Sequence, residues 1–168
     1  GYRVTAVDES GVAVAGHSAG AFTAFSVAGL RVTGEDAALR DERVKVIVPM
    51  SMPRMGDIVP PEGYDAIGIP VLNVTGTCDA SLLYRTFPRH RRIPFEKARA
   101  TAQYLVTLEG VNHDSFSTTS DDPHHALIAD ITIAFLRGFL LEDAGTRQWF
   151  DDAGSTKVSG TGLTIERQ

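Results

Sequence analysis

Short runs of apolar, largely β-branched residues recur along the chain: Val12-Ala13-Val14-Ala15, Val44 to Val48, Pro70 to Thr75 and Tyr104 to Leu108. Each run is followed by a breaker, namely Gly16, Pro49, Gly76 and Glu109-Gly110. Unbroken apolar runs of this length fit strands buried on both faces. Between them the texture changes. Ser18 to Leu30 is rich in small residues, with Phe22, Phe25 and Leu30 at wider spacings, which predicts a helix packed closely on a sheet. A short helix is expected over Phe95 to Ala102 and a long one over Ala126 to Leu141, the latter announced by Asp121, Asp122 and Pro123. Met50 to Gly68 reads as a loop, because Pro53, Gly56, Pro60, Pro61 and Gly63 break any regular period. Leu163 to Glu166 reads as a late edge strand. Strands alternating with helices predict α/β architecture, a mostly parallel sheet with flanking helices.

Length and composition narrow this picture. A chain of 168 residues suits one globular domain of ordinary size over 1–168, and no internal repeat or low-complexity segment divides it. The formal net charge of -5 repels phosphate backbones, so nucleic acid is not an expected partner. The longest apolar stretch, Ala126 to Leu141, carries Asp130 and Arg137 and falls short of the roughly 20 residues that cross a bilayer. No membrane span is expected. Gly1 to Ser10 mixes Arg3, Asp8 and Glu9 with valines, unlike a signal peptide, and the lone Cys78 rules out an internal disulfide.

Chemistry enters at Gly16-His17-Ser18-Ala19-Gly20, a G-x-S-x-G sequence between a predicted strand and a predicted helix. Such a turn holds the serine in strained geometry and exposes Ser18 Oγ at a helix N-terminus, where the Ala19 N–H can meet a developing oxyanion. The flanking Gly16 and Gly20 are expected to make room for the tight turn. A serine hydroxyl needs a general base, and the base needs an orienting acid. Asp79 follows the third strand and His113 the fourth, so that Ser18, Asp79 and His113 all fall at the carboxyl ends of strands, on one rim of a parallel sheet. Asp114 is set aside as the acid because adjacent residues seldom face each other. His113, Asp114, Asp121, Asp122, His124 and His125 match no metal-binding frame, so no metal is expected. Arg85 to Arg92 reads as a solvated basic loop, and Cys78 as a small buried residue.

With these motifs on the page, the chain resembles the α/β-hydrolase superfamily, and within it the esterase branch of dienelactone-hydrolase-like and platelet-activating-factor-acetylhydrolase-like proteins. The likeness rests on Val12 to Gly20, Ile69 to Asp79 and Tyr104 to Phe116, and it extends to the last helix and Ala144 to Phe150. It implies Ser18 as nucleophile, His113 as base, Asp79 as orienting acid, Ala19 as one oxyanion donor and no cofactor, with a small-molecule or polymeric ester as substrate. Members of the superfamily carry several strands before this turn, and one of their loops gives the second oxyanion N–H. Only 17 residues precede Ser18 here, and Gly1 to Asp8 is expected to be either the remnant of a preceding helix and loop or one earlier strand joined directly to the strand before Ser18. The open sheet edge is expected to pair with a second copy or a missing upstream segment, and Met50 to Met55 is the alternative source of the second donor. The competing expectation is a catalytically silent module of the same fold that binds a ligand or a partner chain.

Overall fold

Four strands lie side by side in space in the order in which the chain makes them. The computed structural model describes residues 11–35, 39–83, 85–117, 121–153, 156–158 and 161–168, so Gly1 to Asp8 falls outside the described residues. β1 (Val12–His17), β2 (Val44–Met50), β3 (Val71–Cys78) and β4 (Gln103–Asn112) pair in parallel. The chain then reverses, and β5 (Thr156–Val158) and β6 (Leu163–Arg167) complete a sheet of order β1-β2-β3-β4-β6-β5, antiparallel beyond β4. This is a mostly parallel α/β fold. Leu163 to Glu166 is an inner strand rather than the expected edge, because β5 pairs along its far side.

One face of the sheet is covered by α3 (His125–Phe139) and α4 (Ala144–Asp152). Ile128, Ile131 and Phe135 recur along one side of α3 and pack on Val46, Val48, Leu72, Val74, Tyr104 and Val106. Phe150 of α4 lies against Tyr104 and Phe135, and Asp143 caps α4 by accepting from the Thr146 N–H at 2.7 Å. The other face carries α1 (Ala19–Val27), whose Ala21 and Ala24 are fully buried beside Phe25 and close to Val44, Ile47 and Val71. Methyl side chains let the helix axis approach the strands, as the small-residue pattern predicts. Val44 and Ile47 share this face because the β1–β2 register slips between Val12 and Ala13, which leaves Lys45 bulged.

Several breakers read from the sequence do not end their strands. Gly16 pairs with Pro49 and His17 with Met50, so β1 and β2 run on to the site. Pro49 stays within β2 at the loss of one β2–β3 ladder bond, because Ile47 N–H, donating to Pro70 O, and Ser51 N–H, donating to Val74 O, hold the strand on either side of it. Gly76 is a close-approach residue, since a Cβ there would stand 2.0 Å from the Val111 carbonyl oxygen on β4. Gly76→Ala should therefore cost about 3 kcal/mol or more, a fall of roughly 6–12 °C in Tm by thermal scanning. The short helix expected over Phe95 to Ala102 is displaced upstream: a 3-10 turn at Pro88–Arg92 leads into α2 (Ile93–Lys97), and Ala98 is already extended. No helix among the described residues is long and apolar enough to cross a membrane.

Candidate active site

Each of the four parallel strands delivers one polar residue immediately past its carboxyl end: Ser18 after β1, Ser51 after β2, Asp79 after β3 and His113 after β4. The rim expected for Ser18, Asp79 and His113 is thus occupied by all three. Ser51 is a fourth member, inside the Met50 to Gly68 stretch that the sequence predicts as a loop.

Ser18 sits at φ 56° and ψ -115°, a conformation few side-chain-bearing residues adopt. Its N–H donates to Met50 O at 3.0 Å, and its side chain does not cap α1. An ordinary helix N-cap has extended backbone and a capping hydroxyl, so Ser18 is something else. The turn depends on Gly16, where a Cβ would lie 2.2 Å from Gly20 O. Gly20 itself faces open space, so the expectation that both glycines relieve crowding holds for Gly16 alone. Ala19 is the first residue of α1, where a backbone N–H has no acceptor within the helix.

Asp79 is fully buried and its carboxylate is saturated with donors. Oδ2 accepts from Thr75 Oγ1 at 2.8 Å, and Oδ1 accepts from Ser51 Oγ at 2.8 Å and Arg91 Nη2 at 2.9 Å. Arg91, expected in a solvated basic run, is 2% exposed. The turn at Pro88–Arg92 carries it inward, where Nη1 donates to Ser51 O and Met52 O, each at 2.8 Å, and Nε to Asp79 O at 3.3 Å. Burial weakens its hold on the proton, and the facing carboxylate opposes that shift. A guanidinium matched to a carboxylate, with Nε and Nη1 also donating to backbone carbonyls, is the arrangement that makes a buried ion pair tolerable.

His113 turns Nδ1 toward this cluster, 2.7 Å from Ser51 Oγ, 3.1 Å from Arg91 Nη2 and 3.3 Å from Asp79 Oδ1. Its loop is fixed by Asn112 Oδ1, which accepts from the N–H groups of Asp114 and Ser115. The Ser115 hydroxyl accepts from Asn112 N–H and, with His124, holds the Asp122 carboxyl down at about 2. Asp122 Oδ1 and His124 Nδ1 are hydrogen-bonded to each other at 2.7 Å, and Asp114 is exposed. The His113 ring lies 4.8 Å from that of His17, next to Ser18, and His17 in turn stacks on Phe116 at 5.6 Å. Asp79 and His113 are therefore joined directly, whereas Ser18 is brought to the same place through its neighbour. No hydrogen bond links Ser18 Oγ to the His113 ring among the described residues; such contacts often tighten only around substrate.

Burial, reinforced by His113, lowers the pKa of His17 below its ordinary 6.5, against the opposing pull of Asp79 and a backbone hydrogen bond with His113. The native chain then resists a proton that the unfolded chain accepts, so stability falls as pH drops through the ordinary histidine range and is recovered above it. Urea midpoints measured from pH 7.5 to 5.5 should decline more steeply for the wild type than for His17→Phe.

Of the alternative oxyanion donors in Met50 to Met55, Ser51 N–H and Arg54 N–H are already bound, to Val74 O and Thr86 Oγ1, and Pro53 has none. Cys78 is exposed rather than buried. An apolar hollow of about 430 Å³ opens beside the rim between Met50, Phe116, Ile128, Ala129 and Ile133. No protein-family model matches the chain and no curated protein matches its sequence, so the geometry of this rim is the ground for any reading of its chemistry.

Proposed function

We propose that the chain is a serine hydrolase of the α/β-hydrolase type that cleaves carboxylic esters through an acyl-enzyme intermediate. The observation that carries this reading is Ser18 at φ 56° on a strand-to-helix turn, with its hydroxyl uncommitted, and on the same rim a buried Asp79 within 3.3 Å of His113 at the ends of β3 and β4. His113 Nε2 takes the Ser18 proton as Oγ attacks the ester carbonyl, and the Ala19 N–H supports the oxyanion. The tetrahedral adduct collapses, and the alcohol leaves with the proton from Nε2. Water then attacks the acyl-enzyme by the same route, and free acid and Ser18 are regenerated. The hollow lined by Met50, Phe116 and Ile128 suits an apolar portion of the ester.

A fluorophosphonate probe and a p-nitrophenyl ester series test the reading. Labelling confined to Ser18, with ester turnover that the label abolishes, is the expected result. Folded protein that neither labels nor turns over ester would instead favour a binding module. Solution mass, measured on the same sample, tests whether β1, the outermost strand among the described residues, pairs with a second copy.

A further inference from the structure

Ser51 is fully buried, yet it holds φ 54°, a left-handed conformation that costs free energy in any residue with a side chain. Its backbone is pinned there from both sides, with the N–H donating to Val74 O at 2.7 Å and the carbonyl accepting from Arg91 Nη1 at 2.8 Å. The strained backbone aims Oγ between two groups, 2.8 Å from Asp79 Oδ1 and 2.7 Å from His113 Nδ1. Asp79 and His113 themselves stand 3.3 Å apart, longer than either contact through Ser51. The hydroxyl has one proton. An ionised carboxylate is the stronger acceptor, so the Ser51 proton goes to Asp79, and Oγ is left to accept from Nδ1–H. Arg91 Nη2 stands 3.1 Å from Nδ1 and would favour the opposite tautomer by donating to it. Nη2 carries two hydrogens and also stands 2.9 Å from Asp79 Oδ1, the acceptor it shares with Ser51; of the two groups facing Nδ1, Ser51 Oγ at 2.7 Å is the nearer, and that contact sets the tautomer.

We infer that Ser51 is a positioning residue that bridges acid and base, so that the link runs from His113 Nδ1–H to Ser51 Oγ–H to Asp79 Oδ1, with Arg91 clamping both the carboxylate and the Ser51 carbonyl. The bridge keeps the proton on Nδ1 and leaves Nε2 unprotonated on the side available to Ser18. Its kinetic consequence rests on the hydrolase reading; its effect on the imidazole tautomer does not.

Ser51→Gly and Ser51→Ala separate this role from a structural one. Both changes remove the buried hydroxyl but only glycine relieves φ 54°, so Ser51→Gly should melt above Ser51→Ala. Both variants should lose roughly ten- to hundredfold in kcat and in labelling rate at Ser18, as expected when a base is held loosely, with KM little changed. In ¹⁵N spectra of the imidazoles, His113 should be predominantly Nδ1–H in the wild type and shift toward Nε2–H in Ser51→Gly. Wild-type kcat in both variants together with an unchanged tautomer would overturn the bridge. Should the wild type show no hydrolase chemistry at all, the hydrolase reading fails by itself. The tautomer then decides alone: a shift in Ser51→Gly sustains the bridge, and its absence refutes it.

Discussion

On the proposed hydrolase mechanism, Ser18→Ala and His113→Ala will each lower ester turnover by roughly 10⁵- to 10⁶-fold, and the double variant will lose little more. The non-additivity follows from the chemistry. Without Oγ there is no nucleophile for the base to serve, and without the imidazole a hydroxyl near neutral pH is not a competent nucleophile. Ser18 makes no capping bond, so Ser18→Ala should leave the thermal transition close to that of the wild type. His113 contacts Ser51, Arg91 and Asp79, and its removal should lower stability measurably. Cys78→Ala is the control: an exposed thiol outside the cluster should be dispensable. Steady-state rates corrected for folded fraction decide the matter, and an active Ser18→Ala beside an inactive Cys78→Ala would replace the serine mechanism with a thiol one.

The parts of this molecule legible from sequence are those that depend on local composition. Buried parallel strands announce themselves as apolar runs, so β1 to β4 were expected in place, and their carboxyl ends put Ser18, Asp79 and His113 on one rim. What escaped was set by long-range pairing. Gly16 and Gly76 look like strand breakers in isolation, yet both are strand residues that let a neighbouring backbone come close, a fact visible only when Gly20 O and Val111 O are in position. Pro49 looks like a stop, but the β2–β3 bonds on either side of it hold the strand. Arg91 was hidden by its company, since four of the eight residues from Arg85 to Arg92 are arginine and only one of them folds inward. Ser51 stands two residues past Pro49 at the start of a loop-like stretch, and the one clue to it is the Ser18, Asp79 and His113 pattern of strand-end polar residues, which points to the residue after β2.

Asp79→Asn will be damaging in two separable ways. The first is catalytic: an amide does not stabilise the imidazolium or hold the productive tautomer, and such a change costs about 10⁴-fold in kcat where the acid–histidine pair works as proposed. The second is structural. Asp79 is the carboxylate against which buried Arg91 is paired, and its loss strands a guanidinium with 2% exposure, a penalty of about 3–5 kcal/mol. A dead and unstable single variant would not tell these apart, but a companion change does. Arg91→Met keeps a long apolar stem and removes the charge, so the Asp79→Asn/Arg91→Met pair leaves no unpaired ion in the core. The double variant should recover much of the stability lost by Asp79→Asn in urea titrations while its kcat stays near the single variant's floor. Recovery of both stability and rate would mean that the carboxylate matters only as a counter-ion for Arg91, and that His113 is oriented through Ser51 and the Asn112 turn without it.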